Sequence, residues 1–148
     1  MGPAEGFADA QYMTTTKTFH STPLMRALID RWPMAVALVV SWDFWDVPLV
    51  PPVWTLLACQ AAYLLWGWRA PKKQLVVFGA YTVLAAVVVL LTPHAPQVGV
   101  LLIALGWGAH AVWDLVHHIR DAVVPRWWSE FCGVFDLVIA VTILVKWF

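Results

Sequence analysis

The stretch Gly108–Asp136, with the sequence GAHAVWDLVHHIRDAVVPRWWSEFCGVFD, decides how this chain folds. It contains three of the five histidines and four of the nine acidic residues, and apolar runs flank it on both sides. Ionisable side chains at membrane depth are costly and are kept where they have a partner or a function. The stretch therefore predicts two membrane helices with polar groups held between them.

The composition indicates that lipid is the solvent for most of the chain. Of 148 residues, 61% are hydrophobic and 12% are charged, whereas soluble domains have roughly 25% charged residues. The apolar residues also form long runs instead of amphipathic stripes. We therefore predict an all-α fold, a polytopic membrane bundle of about five transmembrane helices formed by residues 24–148.

Residues 1–23 form a polar tail that we expect to be disordered. No apolar region precedes a small-residue cleavage site, so a signal peptide is not predicted. The segment MTTTKTF begins at Met13, and translation from Met1 or from Met13 fits the sequence equally well. The chain has no basic tract with interleaved aromatic residues, which argues against nucleic acid as a partner.

Five apolar segments are long enough to cross a hydrocarbon core of about 30 Å, which takes about 17–25 residues. The first borrows residues from its flanks, and proline-containing turns follow the first and third. The predicted spans are residues 24–45, 53–68, 74–91, 97–118 and 127–147. Gly79 and Gly133 lie within these spans and are interpreted as sites of close helix packing, and Gly106 and Gly108 as positions where a neighbouring helix or a ligand can come close.

The distribution of basic residues predicts the orientation. With five spans, eight of the nine Lys and Arg residues fall on the side of the N-terminus and only Lys146 falls on the other side. Cytoplasmic loops carry the excess of positive charge. We therefore predict a multi-pass protein of the cell membrane with the N-terminus in the cytoplasm and the C-terminus outside. Five tryptophans are expected together at the cytoplasmic interface: Trp32, Trp66, Trp68, Trp127 and Trp128.

Four side chains of the fourth span share one face of the helix. At about 100° per residue, His110, Asp114, His117 and His118 fall within an arc of about 100°. Imidazole and carboxylate groups in this arrangement are ligand types for Zn²⁺ and iron. The stripe is predicted to run from the inner half of the bilayer to the cytoplasmic surface.

Counting from the loop at about 1.5 Å per residue places His110 and Asp136 at the same depth on neighbouring antiparallel helices. A carboxylate at Asp136 would not be left facing lipid, and His110 is its expected partner. Asp114 is level with Glu130 and Cys132 by the same count. We predict Glu130, Cys132 and Trp113 as residues that support the His/Asp site.

Three interpretations of this site remain open. The first is a metal site that generates hydroxide near lipid headgroups. The second is a set of buried polar pairs that lock helices together, including a contact of Asp114 with His117 or His118. The third is a path for protons or cations, or a haem site, to which neutral-range histidine titration is suited.

The motif HAVWDLVHH followed by FCGVFDLVIA resembles a group of small bacterial integral membrane proteins of unknown function. The resemblance covers about the last 40 residues, and the loop VVPRWWSE departs from the pattern of the group. It implies a membrane location and a polar helical hairpin, and it implies no substrate. The matching positions here are His110, Trp113, Asp114, His117, His118, Cys132 and Asp136.

Two functions follow as hypotheses. The first is an inner-leaflet His/Asp site that binds Zn or Fe, with haem less favoured, and that acts on a lipid-like or small apolar substrate. The second is a non-catalytic accessory or structural subunit of a membrane complex, whose polar hairpin serves helix packing or partner docking. Membrane lipids and protein subunits are the expected partners.

Overall fold

A computed structural model describes residues 22–46, 49–69 and 71–148. Over these residues the chain is helical and contains no strand, which confirms the all-α fold class. The expectations about Met13 and about disorder in residues 1–21 lie outside the described residues, whereas Pro23, the last residue of the predicted tail, is the first residue of α1. The helices are α1 Pro23–Asp30, α2 Trp32–Val40, α3 Trp42–Asp46, α4 Val53–Trp66, α5 Pro71–Leu91, α6 Pro96–Arg120 and α7 Arg126–Trp147.

The first predicted span is not one continuous helix. It is divided at Arg31 and Ser41 into α1, α2 and α3. Pro33 has no N–H to donate, and its ring is incompatible with a regular preceding turn. At the second break the Ser41 hydroxyl donates to the Leu38 carbonyl at 3.2 Å, a local bond that competes with the helix ladder. At the start of α1 the Met25 amide donates to Thr22 Oγ1 at 3.3 Å, so the Thr22 side chain caps this helix.

The bounds of the four later helices agree with the predicted spans to within a few residues, but the count of five membrane spans is not confirmed. Three helices, α5, α6 and α7, are long and apolar enough to cross a membrane. Helix α4 is apolar but has 14 residues, and at 1.5 Å per residue it is about 21 Å long. The described part of the chain is therefore all-helical and contains three helices of membrane-spanning length.

A tight turn joins α6 to α7 and fixes their antiparallel alignment. Asp121 caps α6 in the left-handed conformation, with φ 47° and ψ 50°. Val123 has φ 75°, and the Val124 amide donates to the Ala122 carbonyl across it at 3.0 Å. Pro125 then precedes α7 with φ −57° and ψ 142°. The turn is short, so residues equally distant from it on the two helices come to the same level.

Helices α6 and α7 form the centre of the bundle. Helix α2 packs against α7, while α5 packs against both α6 and α4. Gly106 of α6 lies under two leucines, since a Cβ there would be 2.8 Å from Leu56 and 2.9 Å from Leu84. The apolar core between the helices includes Leu56, Trp107 and Ile139. The prediction of close approach at Gly106 is confirmed. A Cβ at Gly79 would meet none of the described residues within 4 Å, so the interpretation of Gly79 as a packing position among them is wrong.

The bundle buries several polar side chains beside its apolar core and exposes many large apolar side chains on its outer surface. Val76, Leu90 and Val145 are exposed on the outer surface. Water-soluble proteins bury few uncompensated polar groups and avoid large apolar surfaces. The buried polar residues are Ser41, Gln60, Gln74, His110, Asp114, His117, Ser129, Asp136 and Thr142. This polarity is typical of a helical bundle in lipid.

Candidate metal centre

Three ionisable side chains meet at the centre of the α6–α7 pair. His110 Nδ1 lies 2.5 Å from Asp136 Oδ2 and 3.2 Å from Asp114 Oδ2. The relative exposure of the three side chains is 0%, 1% and 0% for His110, Asp136 and Asp114. Each offers one ligand atom, and these atoms lie within 4.8 Å of one another. The pairing of His110 with Asp136, predicted from depth, is confirmed.

Helix geometry explains why the three residues converge. His110 and Asp114 are separated by four residues on α6 and therefore lie on the same face, one turn apart. Asp136 reaches them from α7. The two helices can approach closely at this level because Gly133 has no side chain, and a Cβ there would lie 3.3 Å from the Asp114 Cβ. The predicted packing role of Gly133 is thus confirmed.

Helix α4 contributes a tyrosine that the sequence reasoning did not assign to the site. The Tyr63 hydroxyl donates a hydrogen bond to Asp114 Oδ1, and the Tyr63 ring meets the His110 ring edge-on with centroids 5.9 Å apart. From α5, the Tyr81 ring packs against His110 at 5.8 Å, and its hydroxyl donates to the Gly106 carbonyl at 3.2 Å. The site is therefore built by four helices.

Several polar atoms around the cluster have no hydrogen-bond partner within the described residues. They include His110 Nε2, Asp136 Oδ1 and both terminal atoms of the Gln60 amide. Gln60 is fully buried and lies three residues before Tyr63, on the same side of α4. A buried polar atom without a partner costs about 1–3 kcal/mol. A bound ion or water in this region would satisfy such atoms.

The other two predicted histidines lie apart from the three-residue cluster. His117 Nδ1 is 2.8 Å from the Trp113 carbonyl oxygen, and its ring contacts those of Tyr63 and Trp113 at 4.9 Å and 4.4 Å. His118 Nδ1 lies 3.3 Å from the Arg126 carbonyl oxygen near the loop. Asp114 accepts a hydrogen bond from Tyr63 and contacts His110. The predicted contact of Asp114 with His117 or His118 is therefore wrong.

Glu130 faces a different part of the molecule from the one expected. Its Oε1 forms an ion pair with Arg31 Nη1 at 3.0 Å, at the edge of the bundle. Cys132, which precedes Gly133 on α7, is buried. The Trp113 ring packs on the Tyr63 ring, with centroids 6.3 Å apart. Trp113 therefore supports the residues that bind Asp114, whereas Glu130 ties α7 to the residue between α1 and α2.

The donor set determines what the arrangement can do chemically. Two carboxylates and one imidazole are ligands that both Zn²⁺ and iron accept. Two ionised carboxylates in a low-dielectric interior need compensating positive charge. One divalent cation supplies that charge with His110 neutral, and protons supply it in the absence of an ion.

Two surface grooves come near the cluster but are not lined by it. One groove, of about 250 Å³, includes Tyr81 and Gly106 in its lining. The other, of about 420 Å³, includes Ala111 and Gly133. Neither lining includes His110, Asp114 or Asp136. A ligand in either groove would thus not contact His110, Asp114 or Asp136 directly.

No protein-family model, curated protein or solved structure matches this chain. Its site is therefore interpreted from its own geometry. Sequence reasoning missed Tyr63, Gln60 and Tyr81 as members of the site. The spacing of Gln60 and Tyr63 at i and i+3 in an otherwise apolar helix was the available signal, because it places two polar groups on one face.

Proposed function

We propose that this chain is an integral membrane protein that holds one divalent metal ion, Zn²⁺ or Fe²⁺, between α6 and α7. The ligands would be His110, Asp114 and Asp136. The observation that carries the proposal is the convergence of these three ligand atoms within 4.8 Å in a fully buried position.

The ligand spacing suits a small ion. Two atoms that each lie about 2.1 Å from an ion are at most about 4.2 Å apart. In a tetrahedral site the separation is about 3.4 Å, so ligand atoms that lie within 4.8 Å of one another would draw together by about 1 Å when the ion binds. His110 Nδ1 donates its proton to Asp136 in the metal-free site, so metal binding at Nδ1 would require that proton to leave or to move to Nε2, and Asp136 Oδ2 to turn towards the ion.

The surroundings supply the outer hydrogen bonds that metal-binding carboxylates use. The Tyr63 hydroxyl bonds Asp114 Oδ1, which would leave Oδ2 directed at the ion and fix the orientation of the carboxylate. Such outer contacts typically change metal affinity by about 10–100-fold. Tyr63 thus serves as a positioning residue for Asp114.

Charge balance supports the same proposal. The three side chains include two acids and one neutral base, and none of the three is exposed. A doubly negative cluster at membrane depth would be strongly unfavourable. A divalent cation cancels the charge of both carboxylates, so the metal-bound site would carry no net charge with His110 neutral.

A second function has its own observation. The contacts Tyr63–Asp114 and His110–Asp136 already join α4, α6 and α7, as expected of a non-catalytic subunit whose polar core locks its helices. Because the cluster is enclosed, its surroundings favour helix locking or a permanently bound ion over a reaction on a lipid-like substrate. That reaction stays a prediction. Partner docking also stays a prediction.

The membrane arrangement belongs to the same proposal. Five spans, with the N-terminus in the cytoplasm of a bacterial inner membrane, would place the Trp32–Trp127 and Trp66–Trp128 ring pairs at one interface. These pairs have centroid separations of 6.0 Å and 4.9 Å. Grouped tryptophans are typical of a membrane–water boundary. Helices α1 to α3 would then together form the first span, and α4 would form the second. Neither span is supported by helix length alone.

Metal analysis of the protein purified in detergent tests the proposal. We expect close to one Zn or Fe per chain in the wild type, and loss of that metal in His110→Ala and Asp114→Asn. His94→Ala is the matched control, because His94 lies exposed in the turn before α6. Added Zn²⁺ should also raise the unfolding temperature of the wild type, since a ligand that binds only the folded state stabilises it.

Wild-type protein that folds, contains no stoichiometric metal and shows no thermal response to Zn²⁺ or Fe²⁺ would overturn the metal proposal. Retention of metal by the folded His110→Ala variant would overturn the ligand assignment. In both cases normal stability of the wild type would favour the helix-locking function.

A further inference from the structure

A groove of about 420 Å³ runs along the outer side of the α6–α7 pair and is closed on one flank by α2. Its floor is formed by small residues, among them Gly108, Ala111 and Gly133, and its walls by apolar side chains such as Val112 and Leu137. We call this surface the α6–α7 groove. Measured on α6 from Gly108 to His118, it extends about 15 Å along the helix axis.

One end of the α6–α7 groove is charged. Arg31, His118, Ser129 and Glu130 line that end, which lies beside the turn between α6 and α7. The opposite end, near Gly108 and Leu137, is apolar. The groove therefore has the polarity of an amphiphile, with a polar head at the level of the turn and an apolar tail directed towards the middle of the helices.

A second depression of about 470 Å³ adjoins the charged end and shares Arg31 and Glu130 with it. It adds Asp30 and Arg126, together with the rings of Trp32 and Trp127. We call these four charged residues, Asp30, Arg31, Arg126 and Glu130, the head cluster. It contains two guanidinium groups and two carboxylates, so its formal charge is zero and both signs are present.

We propose that the α6–α7 groove and the head cluster bind one zwitterionic phospholipid with a primary ammonium headgroup, of the phosphatidylethanolamine type. The acyl chain would lie over Ala111 and Gly133, and the headgroup would lie among the four charged residues. This site is separate from the metal proposal, because His110, Asp114 and Asp136 line neither depression.

The charges favour this headgroup over others. Arginine presents five N–H donors that match a phosphate, and Arg31 uses Nη1 for Glu130, which leaves further donors of the same guanidinium for phosphate oxygens. The carboxylates of Asp30 and Glu130 are acceptors for an ammonium that can donate. An anionic headgroup would add a phosphate without an ammonium and give the occupied head cluster a net negative charge, and a quaternary ammonium has no N–H to donate to the two carboxylates.

The groove walls favour an acyl chain. Val112 and Leu115 are 62% and 54% exposed on the outer face of α6, so they border the groove without depending on the internal packing. Arg31 is held at the groove mouth by Glu130 across 99 residues of sequence. A preformed, concave and largely apolar site of this volume lies within the usual range for small-molecule binding.

Native mass spectrometry of the detergent-solubilised full chain tests the proposal with three probes that share the same acyl chains: phosphatidylethanolamine, phosphatidylcholine and phosphatidylglycerol. We expect one saturable adduct with phosphatidylethanolamine that survives collisional activation at which the other two adducts dissociate. Arg31→Gln should weaken that adduct at least about tenfold, since a charge-assisted hydrogen bond is lost. Val112→Trp should weaken it by filling the groove.

Arg120→Gln is the control for the head-cluster variant, because Arg120 is exposed at the end of α6 and lines neither depression. Leu105→Trp is the control for the groove variant, since Leu105 is exposed on α6 outside the α6–α7 groove. Both controls should retain the adduct. Glu130→Gln should abolish the preference for phosphatidylethanolamine over phosphatidylglycerol, because the remaining charges of the head cluster are then net positive.

The proposal is overturned if phosphatidylglycerol or phosphatidylcholine binds as well as phosphatidylethanolamine. It is also overturned if adducts grow without saturation, or if the Arg31 and Arg120 variants behave alike. Elution as a single detergent-solubilised species and an unchanged unfolding temperature show that a variant is folded. The Arg31 and Val112 variants act at opposite ends of the groove, so failure of one to fold leaves the other as the test.

Discussion

The hydroxyl of Tyr63 donates a hydrogen bond to Oδ1 of Asp114, and this contact joins α4 to the centre of α6. The two residues are 51 positions apart in sequence. Asp114 is fully buried, so its carboxylate depends on protein partners in place of water. The contact therefore makes the orientation of Asp114 depend on a helix outside the α6–α7 pair.

Replacing Tyr63 with Phe should lower the free energy of unfolding by about 1–3 kcal/mol, because a buried carboxylate oxygen loses its donor. Tyr81→Phe is the matched control, since the Tyr81 hydroxyl donates to the Gly106 carbonyl at 3.2 Å, and that carbonyl is also within the helix ladder of α6. The measurement is reversible unfolding of both variants in mixed micelles. Equal losses in the two variants would contradict a special dependence of Asp114 on Tyr63.

Removing His110 and Asp136 together should destabilise the protein less than the sum of the two single losses. Each single variant, His110→Leu or Asp136→Leu, leaves a buried polar partner unmatched, whereas the double variant leaves none of this pair. We expect a coupling energy of about 0.5–3 kcal/mol in a double-mutant cycle. As a control, the stability losses of His110→Leu and Asp43→Leu should add, because Asp43 lies on the exposed surface of α3. If the losses of His110→Leu and Asp136→Leu also add, the two residues do not interact.

Adding a methyl group at Gly133 should separate α6 from α7. The new Cβ would lie 3.3 Å from the Asp114 Cβ, closer than most such contacts, so Gly133→Ala should cost about 1–3 kcal/mol and lower the metal content. Gly79→Ala has open space around its Cβ and should instead stabilise α5 by about 0.5–1 kcal/mol. Unfolding curves and metal analysis of the two alanine variants check this, and equal stabilities would contradict the close approach at Gly133.

Cysteine labelling tests the five-span arrangement. In a background with Cys59→Ala and Cys132→Ala, a membrane-impermeant maleimide added to intact cells should label Asp43→Cys and His94→Cys. It should label Lys72→Cys and Asp121→Cys only after the membrane is permeabilised. Labelling of Asp43→Cys and Lys72→Cys from the same side would show that α4 does not cross the membrane.

The sequence was sufficient to predict the helical bundle and the meeting of His110 with Asp136. Depth matching works for this pair because a short turn joins two antiparallel helices and both residues lie a similar distance from it. The same reasoning could not identify Tyr63 as a partner of Asp114. Helix α4 is apolar on most sides, so its sequence does not determine which face meets α6, and only the packing of the whole bundle settles that.

The ion pair between Arg31 and Glu130 was also not predicted, because the two residues are far apart in sequence. Sequence reasoning placed Glu130 near the His/Asp site because of its depth, yet depth does not specify the direction in which a side chain points. The structure directs Glu130 to Arg31, 99 residues earlier. The division of the first span had a visible cause in Pro33, but its extent depended on the packing of α2 against α7.

The buried carboxylates have a consequence for how the chain is made. On biological insertion scales an aspartate at the centre of a membrane helix costs about 2.5–3.5 kcal/mol, and α6 and α7 each carry one, Asp114 and Asp136. The short turn at 121–125 and the contact of both carboxylates with His110 allow the two segments to shield each other's charge. During synthesis α6 would therefore enter lipid together with α7, as a helical hairpin.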